Sequence, residues 1–208
     1  MKNVTGRQSN PFGISPPCEP FVAGFGDANA DFHVVGDHPG VHGGADSGIP
    51  FTEFAASERF QHTLAEAGLL AETGTPPVVE STFFSYLHPC VPEGVPGPDD
   101  YAALEPIFDS ELRAITAHVL LPVGERATRH VFANMSARPP AEVDMETQHA
   151  TEIPGSGWLI VPIKDPAQWD DEDERALVDA LVDLRQRDYV RRADLGRFLP
   201  DDDPYMVR

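Results

Sequence analysis

The chain has 208 residues, 34 of them acidic against 15 basic, for a formal net charge of −19 at pH 7. That length suits one domain with a full core, and a hydrophobic content of 41% excludes an acidic disordered protein. Lys2 and Lys164 are its only lysines; such a surface repels nucleic acid at ordinary salt and keeps a protein hydrated where salt screens charge strongly.

A high-salt cytoplasm is therefore the expected setting. The two cysteines, Cys18 and Cys90, are too few for a four-cysteine metal or cluster site. A disulfide between them is possible but not expected, because nothing suggests export. Met1–Asn10 lacks the apolar stretch of a signal peptide, and no apolar run approaches membrane-spanning length.

Residues 1–20 carry Pro11, Pro16, Pro17 and Pro20 and read as an irregular arm before a single domain over 21–192. Phe21–Asn29 suggests a strand edge and turn, and Asp31–Val35 a short strand. From Gly36 to Pro50 the chain holds five glycines, two prolines, two histidines and two aspartates. Ligands bind past the carboxyl ends of strands in open α/β sheets, and glycines let backbone N–H groups approach them. The pattern fits neither the dinucleotide nor the P-loop motif, so an ordinary connection with solvated polar residues is the alternative.

Thr52–Leu70 reads as a helix capped by Thr52, with Phe54, Phe60, Leu64, Ala67 and Leu70 on its apolar face. Val78–Leu87 is an extended run, His88–Pro98 a proline-rich loop. A helix from Asp99 or Asp100 through Ala117 turns Leu104, Ile107, Phe108, Leu112 and Ile115 inward. His118–Val123 and Trp158–Ile163 read as buried parallel strands, with a helix over Glu125–Ala133 and an irregular stretch over 134–156 between them. A last helix, Asp170–Arg191, opens on acidic residues that suit the helix dipole, and 193–208 form an acidic tail. Strands alternating with helices predict an α/β fold, a three-layer α/β/α sandwich around a mainly parallel sheet.

The order of these segments resembles the uracil-DNA glycosylase superfamily, nearest to its family 4 branch, over roughly Val22–Tyr189. GDHPG at Gly36–Gly40 followed by GIPF at Gly48–Phe51 is similar to that family's GEAPG…GxPF block. PCVPEG with PDDYAALEPIF resembles its CRPP segment and following helix. VLLPVGERATRHVF resembles its strand–glycine–helix segment, and WLIVPIKDPAQW stands where its HPS motif lies. The resemblance implies a four-stranded sheet, a groove at the strand ends, and an enzyme that flips a nucleotide out of DNA and cleaves the base–sugar bond.

Residue by residue, the resemblance implies that Asp37 orients water and that His38 donates to a base carbonyl or a phosphate. It makes Phe51 a stacking platform for the base, with plain core packing as the alternative. Ser85 or Tyr86 falls at the family's base-reading asparagine, without its paired donor and acceptor. Asp165 stands near the HPS histidine, where it would hinder a departing base anion unless protonated or paired with Lys164; Lys164 is the alternative source of that positive charge. Cys90 and Cys18 match two cluster cysteines and Leu104 lies near a third, so no iron–sulfur cluster or other cofactor is expected, and packing alone must hold the arm and the proline loop.

Three functions compete. The first is a glycosylase for uracil or another deaminated base, with DNA as partner in high salt and a monomeric state. The second is a catalytically reduced member that binds DNA or a protein. The third is hydrolysis by a metal at His33, Asp37, His38, His42 and Asp46, weakened because neighbours in an extended strand face opposite ways.

Overall fold

The computed structural model describes residues 8–115 and 117–187. The acidic tail over 193–208 and the last residues of the helix expected through Arg191 lie outside them.

Two runs form the centre of the sheet, β2 (Phe32–Gly36) and β5 (Thr82–Tyr86), and every residue of both is buried. Aromatic and β-branched side chains pack well on a pleated surface covered on both sides. β6 (Val119–Pro122) and β8 (Leu159–Ile160) extend this parallel core, giving the order β5-β2-β6-β8. The sheet has six strands rather than the expected four. The two-residue strands β1 (Phe25–Gly26) and β7 (Ile153–Pro154) add one antiparallel edge each. Two residues are too few to leave a period in the sequence.

Period-two alternation divides the strands between two faces. Phe32, Val34, Phe84, Tyr86, Val119 and Leu121 pack with α2 (Ala55–Glu66) and α6 (Asp171–Gln186). Val35, Leu120 and Ile160 face α3 (Pro98–Ile115) and α4 (Gly124–Met135). This is the three-layer arrangement.

Several local expectations change. α2 begins at Ala55, three residues late, because the Thr52 hydroxyl donates to the Ile49 carbonyl (2.7 Å) and bonds Ser47 Oγ (2.7 Å) inside the glycine loop. Phe54, placed on the apolar face, is instead the residue before the helix and 41% exposed. The run Val78–Leu87 breaks at Ser81 (φ +49°) into β5 and an earlier strand, β4 (Val78–Val79). β4 pairs with β3 (Leu70–Glu72), which takes up the predicted end of the helix. The stretch expected to be irregular contains α5 (Met145–Gln148) and β7. α6 starts as its acidic residues suggested, with Asp170 and Asp173 forming a capping box.

Cys18 and Cys90 are joined as a disulfide, against expectation. The arm lies along the loop after β5: Phe21 bridges Cys90, Val22 N–H donates to the Pro89 carbonyl (2.8 Å), and Val91 N–H to the Pro20 carbonyl (3.0 Å). That strand-like contact brings the two sulfurs together, so arm and loop are held by a covalent staple as well as by packing. Cys18→Ser in the full chain is expected to cost about 2–4 kcal/mol, because the bond closes a long loop. Thermal unfolding should show a midpoint lower by roughly 5–15 °C; an unchanged midpoint would mean that the arm contributes no restraint.

Candidate functional site

The four parallel strands end on one edge, and their ladder runs on past it. Leu87 N–H donates to Gly36 O (3.0 Å), His88 N–H to Asp37 O (3.0 Å), Val123 N–H to Val35 O (2.8 Å) and Gly124 N–H to Ile163 O (2.7 Å). These bonds deliver Asp37 and His38 after β2, His88 after β5, Arg126 in the first turn of α4, and Asp165 after β8 to the same edge.

Asp37 is the centre of the group. Its carboxylate accepts a short hydrogen bond from the Tyr101 hydroxyl, and Arg126 Nε lies 3.5 Å from its other oxygen. The Arg126 guanidinium stacks 4.4 Å over the Tyr101 ring, so each partner fixes the other. Burial, and then the bond to Asp37, push the Tyr101 phenol well above its ordinary range, which keeps it a donor. Asp37 is thus held by two side chains rather than by loop N–H groups, and its side chain remains 16% exposed.

His38 precedes the short helix α1 (Pro39–His42), and its Nδ1 accepts from Gly40 N–H (3.1 Å). Burial lowers its pKa; Asp37 opposes this, while His88 and Arg126 reinforce it. His88 sits 6.3 Å from the His38 ring and 5.5 Å from the Tyr101 ring, and its Nδ1 meets the Cys90 carbonyl at 3.0 Å.

The expected base-binding residues lie deeper. Phe51 is 1% exposed, at φ +57°, and its ring packs among His42, Phe60, Phe84 and Tyr86. The Tyr86 hydroxyl accepts from Phe51 N–H (2.8 Å) and donates to the Gly43 carbonyl (2.9 Å). Gly36 has no room for a Cβ, which would lie 2.6 Å from the Tyr86 ring and 2.7 Å from that of Phe51. The two aromatics therefore lock the glycine loop to β5, and neither presents a free face to the groove.

Ser85 points to the opposite side of the sheet, as alternation requires. Its hydroxyl lies 2.7 Å from His33 Nε2 and meets Glu111 of α3. Burial lowers His33 to about 3 and raises Glu111 to about 8. A cavity of about 20 Å³ adjoins Glu111, enough for one water. Because the folded state raises the pKa of Glu111, its contribution is complete below the unfolded value and is lost as pH rises toward 8. Glu111→Gln should flatten that alkaline fall of the thermal midpoint. An unchanged slope between pH 5 and 9 would assign the loss to other groups.

Lys164 and Asp165 part company. Lys164 Nζ pairs with Glu146 (2.9 Å) and Asp173 (3.2 Å), not with Asp165, and the Glu146 bond leads the causes that raise its pKa. α5 and α6 thus draw the ammonium onto themselves, away from the expected pairing. Asp165 accepts from Ala167 N–H (2.9 Å) as the cap of a one-turn 3-10 helix. It also acts on His42, whose pKa burial lowers to about 4 against the opposing pull of Asp165 and Asp37.

The glycine loop is no phosphate cradle. Glu53 accepts from Gly44 N–H (3.0 Å), Asp46 N–H (3.0 Å) and Ser47 N–H (2.5 Å), so an internal carboxylate takes the donors a ligand would need. The five metal candidates also fail to converge: among the described residues no three histidine, cysteine, aspartate or glutamate side chains form a metal-holding group. His33 is on the far face of the sheet, and His42 Nε2 is buried without a partner.

Reading the sequence missed Tyr101, Arg126, His88 and Glu53. His88 had a signal. Gly36 and Tyr86 are paired in register, so His38 and His88 stand two residues past equivalent positions on adjacent parallel strands. Tyr101 and Arg126 each occupy the first turn of a helix that starts at this edge, but the choice among first-turn residues needs the packing.

The model of the family described as Uracil DNA glycosylase superfamily matches residues 23–184, from the end of the arm to the last turn of α6. No curated protein matches the chain. An iron–sulfur cluster of the family 4 kind does not fit, because the chain has two cysteines and both are in the disulfide. No helix among the described residues is long and apolar enough to cross a membrane.

Proposed function

The chain belongs to the uracil DNA glycosylase superfamily, and on that premise we propose that it hydrolyses the N-glycosidic bond of a deaminated base, uracil among them, in DNA. The observation that carries this reading is the Asp37 carboxylate, held at the strand ends by Tyr101 and Arg126 with part of its surface open. A carboxylate has about four lone-pair directions, so one oxygen can still accept from a water.

In that mechanism the water oxygen bonds to C1′ of a nucleotide turned out of the stack. The C1′–N bond breaks, and its electron pair leaves with the base. Asp37 orients the water, offsets the positive charge that develops on the sugar, and takes the proton. His38 supplies a neutral donor to the departing base, and Arg126, with a side chain 49% exposed, is placed to meet a backbone phosphate. The same reading takes family 4 as the nearest branch, a monomer as the working state, and a high-salt cytoplasm as the setting in which an acidic chain meets DNA.

One observation favours a second reading, a non-catalytic DNA- or protein-binding member. A carboxylate, Asp165, stands after β8 and acts on the nearby His42, while Lys164 is engaged by Glu146 and Asp173. A panel of oligonucleotides with uracil, hypoxanthine or ordinary bases, incubated at molar potassium chloride, separates the two. Abasic product from a deaminated base supports hydrolysis; saturable binding by folded protein without product supports the second reading.

A further inference from the structure

We infer that His38 and His88 form a donor–acceptor pair that reads the Watson–Crick edge of the base at the mouth of the groove, and that the pair tells a deaminated base from the amine-bearing base it comes from. This rests on the groove being the nucleotide site proposed above.

The argument begins with protons. Gly40 N–H can only donate, so His38 Nδ1 is the acceptor and its ring proton sits on Nε2. The Cys90 carbonyl can only accept, so His88 Nδ1 carries the proton and its Nε2 is left as an acceptor. Two backbone groups thereby impose opposite tautomers on two imidazoles whose centroids are 6.3 Å apart.

Their free nitrogens are also reachable. Both residues are more than nine-tenths buried, at 8% and 6% exposure. Yet among the described residues the only buried side-chain polar atoms without a partner are His33 Nδ1 and His42 Nε2. The unpartnered Nε2 atoms of His38 and His88 therefore meet solvent while the rest of each ring is packed. The loop carrying His88 is pinned by the Cys18–Cys90 disulfide, and His38 by its bond to Gly40, so the pair is preorganised.

Base chemistry supplies the selection. Cytosine and adenine present an exocyclic amine donor beside a ring-nitrogen acceptor. Deamination inverts both positions, giving a carbonyl acceptor beside a ring N–H donor in uracil and hypoxanthine alike. A fixed N–H at His38 and a fixed lone pair at His88 match the second order and oppose the first; thymine and guanine share the second order, so the pair separates uracil from cytosine and hypoxanthine from adenine. The glycosidic bond must lie over Asp37, so the base cannot turn over to exchange the two positions. The edge is read at the mouth because Phe51, His42 and Tyr86 fill the space below it by packing on one another, and the Tyr86 phenol is taken up by the Phe51 N–H and the Gly43 carbonyl.

The test is binding preference, which needs no chemistry. The Asp37→Asn protein is titrated in high salt against duplexes carrying one uracil, hypoxanthine, cytosine or adenine, followed by fluorescence anisotropy. Uracil and hypoxanthine should both bind about tenfold tighter than cytosine and adenine, the scale of one good bidentate contact. His88→Phe should erase the preference, with His88→Leu, which likewise offers no acceptor, as a second variant if the first does not fold. His38→Asn, which keeps an acceptor for Gly40 and an amide donor, should retain part of it. Equal affinity for all four bases overturns the inference, as does a preference that survives in a folded His88 variant. Preference without product would leave the pair standing and sink the hydrolysis; product with no base preference would do the reverse.

Discussion

Asp37→Asn is expected to lower the rate of abasic-site formation by about 10²–10⁴-fold, the usual worth of a positioned acid–base group. Asparagine has nearly the same shape, and its amide oxygen can still accept from Tyr101, so the groove should keep its form. It cannot take a proton, and it carries no charge to oppose that on the sugar. The amide N–H₂ would also face Arg126, where two donors meet. Single-turnover measurement on a uracil or hypoxanthine oligonucleotide reads the loss directly. Circular dichroism and a thermal midpoint within a few degrees of the parent, at roughly 2–4 °C per kcal/mol for a chain of this size, would show that the fold is not what was lost.

Phe51→Ala should act on stability first. The ring is 1% exposed and lies 5.1–5.6 Å, centroid to centroid, from those of His42, Phe60, Phe84 and Tyr86. Truncating a buried phenylalanine costs about 3–5 kcal/mol, which corresponds to a midpoint lower by roughly 6–20 °C. Leaving a hole beside Tyr86 should also loosen its bonds to Phe51 N–H and Gly43. Were Phe51 instead an exposed platform for a base, the variant would melt near the parent temperature and lose only affinity for DNA. Thermal unfolding and anisotropy on the same sample distinguish the two roles.

These two residues show what could be read without coordinates. The strand–loop block from Asp31 to Phe51 was legible as a candidate site because glycines, a strand end and a family-like motif coincide there. Asp37 could be singled out from that motif, since a carboxylate just past a central parallel strand has only a few places to go. Phe51 could be identified but not placed, because one aromatic after a proline can stack on a ligand or fill a core, and the difference is set by His42 and Phe60, nine residues to either side, together with Phe84 and Tyr86 on β5. Tyr86 and Ser85 could not be separated until the register of β5 fixed which of them faces the groove side. The pairing of Lys164 with Glu146 and Asp173 depends on α5, which four residues within a polar stretch did not announce.

The glycine loop carries a similar lesson. Its composition suggested donors free for a ligand, but a single glutamate nine residues after Gly44 collects three of them. An unpaired carboxylate close to several backbone N–H groups is the competitor to consider in any such loop. The disulfide was misjudged for a different reason. Compartment argued against it, whereas the strand-like contact of arm and loop, which sets the sulfur positions, has no signature in composition.

Most directly, a uracil-containing duplex is incubated at molar potassium chloride with wild-type protein and with Asp37→Asn, and abasic sites are counted after alkaline cleavage. Strand breaks at the uracil position with wild type, and at least a hundredfold fewer with the variant, are the predicted result, the lower bound for such a group. Folded wild-type protein that gives no breaks at uracil, nor at hypoxanthine in its place, or equal rates for the two proteins, would contradict it.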